Sequence, residues 1–364
     1  MSIPEEKIAK PRAFGYTEVE ARFLYLVATH SGYFTLRQFL DFAHAKSGKR
    51  NARLVEKLFS LGHASARRYT RRSLVFQLRS PQIYTAIGKN HLRNRREHEL
   101  SHIKTRLLAL DFILAHPQEH YFETADEKRR YFIERFNVEK TVFFPTGANR
   151  DGISFSDRFP LCIAYPPPEY MPVAEYMPVV TFTYIDPGHR NLDGYVAHLR
   201  TYRPLFRRLP NFQFLYVSTV SGLQNEAAGL FSLLIQGQGL ADLTRYFDLQ
   251  TKWDHEQYGR LTEADVLFLH GARKRFTGAS IATLYYLWKR NRLPQDFQPD
   301  TPSSSTSTQK VLFRALTLPG HESIFGNSTK NWGDGWQIRG WSPAASPRRA
   351  PTGPIQTSQK TGHR

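Results

Sequence analysis

Residues 46–106 read KSGKRNARLVEKLFSLGHASARRYTRRSLVFQLRSPQIYTAIGKNHLRNRREHELSHIKTR and hold much of the positive charge of this sequence. The stretch has sixteen lysines and arginines against three glutamates, and the whole chain of 364 residues has a formal net charge of +18. A surplus concentrated in this way attracts a polyanion, because each phosphate that a cation neutralises releases a condensed counterion. The stretch therefore favours a nucleic-acid partner, and the alternative is a solvated basic surface.

Apolar residues before and within this stretch recur at helical spacing and predict three successive helices. Thr17 followed by Glu20 is the signature of a capping box, so we expect a first helix to begin there. Thr35 is a favoured N-cap for a second helix, LRQFLDFAHA. A third helix is expected over about residues 51–60, and Gly62 is placed to end it.

A β-hairpin is expected directly after the third helix. Two β-prone runs, at residues 65–69 and 74–78, flank a turn rich in arginine. Three helices followed by a two-stranded wing is the order of a winged helix-turn-helix domain. In that architecture the third helix enters the major groove of DNA and the wing tip lies on flanking phosphates or in the minor groove.

Candidate DNA-binding residues follow from the chemistry of the two elements. Arginine and asparagine at the front of a recognition helix can pair with the edges of guanine and adenine, whereas wing arginines suit phosphates. We leave RNA binding and protein docking open as alternatives. The predicted DNA-binding residues are Lys49, Arg50, Asn51, Arg53 and Lys57 of the third helix and Arg67, Arg68, Arg71 and Arg72 of the hairpin.

The chain as a whole is expected to be an α+β protein with several parts. Strand-like runs alternate with one helical run in the middle third, which indicates a mixed α/β sheet domain. The predicted parts are a flexible N-terminus (1–16), a winged helix domain (17–88), a connecting helix (89–120), an α/β domain (121–220), a helical C-terminal region (221–298) and a disordered basic tail (299–364). Within the tail, residues 311–318 are the one run that has the pattern of an ordered element.

Two passages carry a resemblance to a known family. They are ELSHIKTRLLALDFIL (99–114), with a histidine near its start, and VVTFTYIDPGHRNLDGYVAHLRTYRPLF (179–206), a strand followed by an acid, a glycine and a helix. Together with the N-terminal winged helix, the chain over residues 17–220 resembles the replication-relaxation family of plasmid and mobile-element proteins. The resemblance implies a DNA-binding protein whose second domain is similar to restriction-endonuclease-like folds.

The family pattern also points to candidate catalytic residues. Asp151 and the glycine after it match an Asp-Gly pair, and Asp186 with Gly188 matches the end of a second element. Tyr184 stands where that element has an acid, and no lysine follows on the strand. A metal-dependent nuclease needs two or more carboxylates around its cation, so the departure predicts an inactive nuclease-like domain. The alternative is a magnesium-dependent DNA nuclease that uses Asp151 and Asp186.

Composition limits the remaining possibilities. Cys162 is the single cysteine, so no disulfide framework can form within one chain. No apolar run reaches membrane-spanning length and no signal-peptide pattern is present, so we expect a cytoplasmic protein without a membrane partner. His98 and His102 have metal-binding spacing but no third ligand is evident. We therefore predict double-stranded DNA as the partner, a homodimer or protein partner as a further possibility, and no cofactor apart from the Mg²⁺ of the nuclease alternative.

Overall fold

The computed structural model of this chain contains a three-stranded sheet and a five-stranded sheet, each packed against helices. This is the α+β architecture that the sequence predicts in its coarse form. The structure describes residues 3–46, 49–70, 73–143, 159–163, 180–189, 191–290 and 310–325. Every helix in these ranges is too short or too polar to pass through a bilayer.

Residues 5–13 form a helix, although we predicted a flexible segment over 1–16. Helix α1 (Glu5–Ala13) has acidic residues in its first turn and basic residues in its last, an arrangement that the helix dipole favours. Ile8 is fully buried, and α1 packs against helix α2 (Glu18–Leu26). Burial of Ile8 and Pro11 helps to order a segment whose composition is mostly polar.

Both predicted N-caps are confirmed. The Thr17 hydroxyl accepts a hydrogen bond from the backbone N–H of Glu20 at 3.3 Å, and the Glu20 carboxylate accepts one from the Thr17 N–H at 2.7 Å. Thr35 and Gln38 form the same reciprocal pair at the start of helix α3 (Leu36–Phe42). Each box satisfies backbone donors that the first turn of a helix leaves without a partner.

A π-helical turn, Val27–Ser31, follows α2 and ends at Gly32, whose φ is +80°. A Cβ on Gly32 would lie 2.2 Å from the backbone oxygen of Asn94, so only glycine allows this close approach. The Asn94 amide donates hydrogen bonds of 2.9 Å to the backbone oxygens of Ala28 and Thr29. The segment around Asn94 is thereby fixed against the π-helical turn.

The connecting helix is shorter than its predicted range of 89–120. Helix α5 (Pro81–Ala86) and a 3₁₀ turn (Arg93–Arg95) precede it, and helix α6 covers Leu100–Ala115. The bonds of the Asn94 side chain hold its segment in a non-α conformation, which explains why the helical pattern of this part of the sequence becomes a helix only from Leu100 onward.

The three-stranded sheet joins helix α4 (Lys49–Ser60) to the rest of the N-terminal part. Its strands are β1 (Tyr33–Phe34), β2 (Ala64–Thr70) and β3 (Ser73–Leu78), paired antiparallel in the order β1-β3-β2. Gly62, with a φ of +65°, follows α4 and lets the chain turn into β2. The predicted third helix and the two strands after it are therefore present.

Alternation along the strands gives this sheet two covered faces. Phe34, Ala66 and Phe76 belong to one cluster with Leu54 and Leu58 of α4. On the opposite face, Tyr33 and Val75 pack with Ile103 and Leu107 of α6, as a separate cluster. Residue parity in β2 therefore decides whether a side chain faces α4 or α6.

The five-stranded sheet has the order β4-β5-β6-β7-β8. The pairs β4–β5 and β5–β6 are antiparallel, whereas the pairs β6–β7 and β7–β8 are parallel. Helix α8 (Asp193–Phe206) connects the parallel strands β6 and β7, and helix α7 (Ala125–Phe136) precedes β5. The first four strands are β4 (His120–Tyr121), β5 (Leu161–Ile163), β6 (Val180–Asp186) and β7 (Asn211–Ser218).

Strand β8 (Lys310–Thr317) lies within the region 299–364 that we predicted as a disordered tail, and it coincides with the run 311–318 that has the pattern of an ordered element. It pairs in parallel with all of β7, so the sheet predicted over 121–220 is incomplete without it. Phe313 lies opposite Phe214 in the register, and its ring packs against that of Phe231 at 5.3 Å. Pairing supplies partners for the backbone groups of the β7 edge, which would otherwise be exposed.

Helices fill the predicted region 221–298 as far as it is described. They are α9 (Gln224–Leu234), α10 (Leu240–Asp254), α11 (Glu263–Arg275) and α12 (Ala279–Lys289). After β8, the chain leaves the five-stranded sheet and forms a short helix, α13 (Glu322–Phe325), which packs on β2 and β3. The C-terminal part of the described chain therefore contacts both sheets.

Candidate nucleic-acid interface

Helix α4 is strongly amphipathic, and its two faces have opposite roles. Leu54 and Leu58 are fully buried in the cluster between α4 and the three-stranded sheet. Lys49, Arg50 and Arg53 lie on the outer face of the first two turns and are exposed. Because helical residues three and four apart share a face, the sequence spacing brings these cations together on one surface.

The exposed cations of α4 are positioned with few internal contacts. The Arg50 guanidinium donates a hydrogen bond of 3.3 Å to the backbone oxygen of Ala43, which follows α3. This contact orients Arg50 across the turn between α3 and α4. Within the described residues, Lys49 and Arg53 form no ion pair, so their charge is directed to solvent.

Lys57 is different, because its charge is used inside the protein. Its Nζ lies 2.7 Å from Oε2 of Glu20, and the Glu20 side chain is only 7% exposed. The ammonium also lies 6.0 Å from the ring centre of Tyr16, whose pKa is raised by burial and by the Glu20 carboxylate. Lys57, which we predicted to contact DNA, instead ties α4 to the capping box of α2.

Asn51 is also turned away from the exposed face. The residue is half-buried, and its Oδ1 is inaccessible to solvent and has no hydrogen-bond partner among the residues that the structure describes. Asn51 lies three residues before Leu54, on the side of α4 that faces the core. In this conformation the amide oxygen is not presented to a base edge, in contrast to the prediction from sequence.

The two described arginines of the hairpin lie on opposite faces of β2. Arg67 faces α6; its guanidinium is 3.8 Å from the carboxylate of Glu97 and 5.5 Å from the ring centre of Tyr69. Arg68 is exposed and shares the face of Ala66, which packs towards α4. Only Arg68 therefore lies on the same side as the cations of α4. Arg71 and Arg72 lie outside the described residues.

Four of the nine predicted residues are exposed: Lys49, Arg50 and Arg53 on α4, and Arg68 on the sheet face that packs towards α4. We call this set of residues the cationic face. Sequence reasoning missed Arg37, in the first turn of α3, whose side chain is 48% exposed and lies 3.5 Å from Asp111. Arg37 borders a cavity of about 430 Å³ between α3 and the start of β3. Its position two residues after the N-cap Thr35 was the available signal.

Several other cations of the basic stretch stabilise the fold. Lys89 is buried and pairs with Glu123, which also accepts a hydrogen bond of 2.6 Å from the Tyr25 hydroxyl. Arg106 is buried and donates to the backbone oxygen of His30 at 3.0 Å. The net charge of the stretch therefore overstates the charge that a polyanion can contact.

Asp186 is the candidate catalytic residue that lies within the described part of the chain. Both of its carboxylate oxygens accept hydrogen bonds. One oxygen accepts hydrogen bonds from the backbone N–H groups of Gly188 and His189, at 2.9 and 2.8 Å, and the other accepts one from the Tyr216 hydroxyl. The side chain is buried, with 1% of the residue exposed. It closes the turn at the end of β6. Asp151 lies outside the described residues.

Aromatic side chains surround the position where the nuclease pattern has an acid. Tyr184 is buried and its ring is 5.1 Å from that of His198. Burial lowers the pKa of His198 to about 3, and burial together with the Asp186 carboxylate raises the pKa of Tyr184. Both groups are therefore neutral at physiological pH, and neither supplies the carboxylate oxygen that Mg²⁺ prefers.

The described residues contain no cluster of three or more metal-ligating side chains. His98 and His102 do lie together, with ring centres 4.0 Å apart, but Arg106 donates a hydrogen bond of 3.1 Å to Nε2 of His102. The guanidinium occupies the nitrogen that a metal would need. The absence of a metal site at this pair stays a prediction. The hydrogen bond from Arg106 to His102 supports it.

Comparisons with protein-family models, with curated proteins and with solved structures gave no match for this chain.

Proposed function

We propose that this protein binds double-stranded DNA as a winged helix-turn-helix protein, with α4 as the recognition helix and β2–β3 as the wing. The order α2, β1, α3, α4, β2, β3 and the sheet order β1-β3-β2 support the proposal, because they are the topology expected for that domain. We further propose that the protein serves a plasmid or other mobile element and belongs to the replication-relaxation family.

One observation carries the proposal. Lys57, Lys89 and Arg106 of the basic stretch are engaged inside the protein, whereas Lys49, Arg50 and Arg53 face solvent at the front of α4. The N-terminal residues of a recognition helix are those that reach base edges in the major groove. Exposed positive charge is therefore present where a winged helix needs it.

The five-stranded sheet domain is proposed as a nuclease-like domain without nuclease activity. Asp186 accepts two hydrogen bonds from the turn after β6 and one from Tyr216 of β7, and Tyr184 replaces the expected acid with an aromatic side chain. A carboxylate that serves its own backbone is a poor ligand for Mg²⁺, which needs free carboxylate oxygens and water. Binding to DNA is therefore expected without a divalent cation.

The test measures binding of the full-length protein to duplex DNA by fluorescence anisotropy across a range of salt concentrations. Changing Lys49, Arg50 and Arg53 together to glutamine should weaken binding and reduce the salt slope by about 0.9 for each lost phosphate contact. A matched control changes three exposed cations of other helices and turns, Arg208, Arg260 and Lys274, to glutamine. Equal loss in both variants, or in neither, would overturn the assignment of the interface.

Selection of bound sequences from a random duplex library then separates specific from nonspecific binding. The Arg53→Ala variant should bind the selected site more weakly by about 1–3 kcal/mol and should relax the preference at one position. An inverted repeat in the selected site would indicate a homodimer on DNA. A protein-docking role instead predicts that no sequence is enriched.

A further inference from the structure

Helix α11 (Glu263–Arg275) packs on α10 with one side and leaves the other side open to solvent. Leu269 and Ala272 are buried on the inner side. On the outer side Leu267 is 75% exposed, more than any other large apolar side chain in the described part of the chain, and Val266 beside it is 41% exposed. Single exposed apolar residues are common on protein surfaces, so this exposure gains meaning only from the residues around it.

The charged residues of α11 differ in the same way between the two sides. Asp265 lies 3.0 Å from the guanidinium of Arg245, and Arg275 lies 2.6 Å from a carboxylate of α10. Glu263 and Lys274 are exposed, and neither side chain forms an ion pair or a hydrogen bond with the residues that the structure describes. The fold of one copy therefore leaves an acid and a base without partners, at opposite ends of the helix.

Four residues, which we call the outer face of α11, are arranged symmetrically about the middle of the helix: Glu263, Leu267, His270 and Lys274. Glu263 and Lys274 are separated by about three helical turns, so they share a face. Leu267 follows the acid by one turn and the exposed His270 precedes the base by one turn. A two-fold axis between residues 268 and 269 therefore exchanges the two charged positions, and it also exchanges the two positions between them.

We propose that the outer face of α11 binds the outer face of α11 in a second copy of this chain, with the two helices antiparallel about this axis. Each Glu263 then meets Lys274 of the other copy, and each Leu267 packs against the ring of His270 of the other copy. The surface is distinct from the proposed DNA interface, and the inference does not rest on DNA binding.

Self-complementarity is the reason for choosing a second copy as the partner. In a two-fold interface the same patch is used on both sides, so the patch must match itself after rotation. The outer face does so, because its unpaired acid and unpaired base exchange places. The antiparallel arrangement also brings the N-terminus of each helix near the C-terminus of the other, which the helix dipoles favour. A parallel arrangement instead places like charges beside each other at both ends.

Gly271 provides room for this contact. The axis between residues 268 and 269 places Val266 of one copy opposite Gly271 of the other. A Cβ on Gly271 would meet no atom within 4 Å, so the packing of a single copy does not require glycine there. Without a side chain at this position, the exposed Val266 can reach the backbone of the opposing helix, since helices pack as closely as the side chains at their contact allow.

The interface is small, because each copy contributes one helix to it. Interfaces of this size are typical of weak and transient complexes. We therefore expect a dimer that forms at high protein concentration and dissociates on dilution. Sedimentation velocity of the full-length protein without DNA, over a range of protein concentrations, measures the dissociation constant directly.

The first test removes the apolar contact. Leu267→Gln should raise the dissociation constant of the dimer at least about tenfold, because the side chain lies near the centre of the proposed interface. Its melting temperature, measured on dilute protein, should be unchanged, since Leu267 is mostly exposed in one copy. Val220→Gln is the matched control. It removes another exposed apolar side chain, in the segment between β7 and α9, and should leave the dimer unchanged.

The second test reverses the charges at the two ends of the face. Glu263→Lys and Lys274→Glu each place like charges at both contacts, so each should weaken the dimer at least about tenfold at low salt. An equal mixture of the two variants should dimerise like the wild type, because acid then meets base at both contacts. The controls Glu134→Lys and Lys140→Glu change exposed charges outside α11 and should leave the wild-type dimer unchanged.

Three outcomes would overturn the inference: a wild type that stays monomeric at every concentration, a Leu267→Gln variant that dimerises like the wild type, and a mixture of the charge variants that does not recover. The first also covers a face that another part of this chain or a different protein occupies. All three are measured without DNA and leave the proposed function intact. The DNA-binding control that changes Lys274 to glutamine removes this charge without reversing it, so its dimer should weaken less than that of Lys274→Glu.

Discussion

Lys57 and Glu20 form an ion pair with 2.7 Å between Nζ and Oε2, and it joins α4 to the capping box at the start of α2. The same carboxylate oxygen accepts the backbone N–H of Thr17 at 2.7 Å. The orientation of the proposed recognition helix is therefore coupled to the N-terminus of another helix. Lys57, which we predicted from sequence to contact DNA, therefore takes part in a contact that stabilises the fold.

Because of this ion pair, two cations of α4 should have different roles, one in the stability of the protein and one in DNA binding. Lys57→Ala leaves a buried carboxylate without its cation, so the free energy of unfolding should decrease by about 1–3 kcal/mol, while the affinity for DNA changes little. Arg53→Ala should show the reverse, with a change in stability below about 0.5 kcal/mol, because it is exposed and unpaired. Urea denaturation and anisotropy on the two variants check the expectation. A Lys57→Ala variant that is fully stable but does not bind would refute it.

Buried histidines should make the protein sensitive to mild acid. Burial lowers the pKa of His30 to about 3, with smaller effects of Glu123, which raises it, and of Lys128, Lys89 and Arg106, which lower it. Burial alone lowers the pKa of His198 to about 3. Below their ordinary pKa of about 6.5 the unfolded chain binds protons that the folded chain does not, so stability falls as the pH falls from about 6.5 towards 3.

The expected slope is up to about 1.4 kcal/mol per pH unit for each histidine once the pH is well below 6.5. Urea denaturation between pH 5 and 6.5 measures this slope. Glu123 does not interfere in that range: burial raises its pKa, but Lys89 and its other partners lower it below the ordinary value, so its carboxylate stays charged. His198→Phe should reduce the slope, because phenylalanine suits its aromatic surroundings and does not titrate. The contributions of His30 and of His63, whose pKa burial also lowers, should remain. An unchanged slope in that variant would mean that His198 is protonated in the folded protein.

Asp186 should behave as a structural residue. Asp186→Ala leaves the N–H groups of Gly188 and His189 and the Tyr216 hydroxyl without their acceptor, so stability should decrease by about 1–3 kcal/mol. Asp186→Asn keeps one oxygen for the backbone and should cost less. Adding Mg²⁺ should not raise the melting temperature of the wild type, since a ligand stabilises only the state that binds it. Stabilisation by Mg²⁺ in the wild type but not in Asp186→Asn would point to a metal site.

Gly32 and Gly15 offer a matched test of backbone packing. Both have positive φ, +80° and +89°, but a Cβ on Gly32 would meet the backbone of Asn94, whereas a Cβ on Gly15 would meet no atom within 4 Å. Gly15→Ala should cost about 1 kcal/mol for its conformation alone. Gly32→Ala should cost at least about 1–3 kcal/mol more, because the contact strains the π-helical turn. Thermal melts that show equal losses would contradict the close approach.

Local patterns in the sequence were sufficient for the helices, their caps and the hairpin. Thr17 and Thr35 cap helices because each bonds a residue only three positions away, and Gly62 ends a helix by its own backbone freedom. The spacing of Lys49, Arg50 and Arg53 likewise places them on one exposed face by helical geometry alone. The exposed cations of α4 in the candidate site could therefore be predicted from the sequence.

Contacts between distant residues decided the rest. The Glu20–Lys57 bond spans 37 residues and the Ser73–Ile324 bond spans 251, and no local pattern reports either one. Whether Lys57, Arg67 or Asp186 faces solvent depends on which neighbour the folded chain brings to it. The edge of β7 likewise acquires β8 only when the sheet assembles.

The amino-acid sequence alone therefore determined the type and order of most elements, since helix and strand periodicity and capping act over a few residues. Tertiary structure alone decided which charges are exposed and where residues 318–325 lie, because burial and pairing depend on surfaces that meet only after folding. The cationic face consists of the cations of α4 and the hairpin that folding leaves on the solvent side.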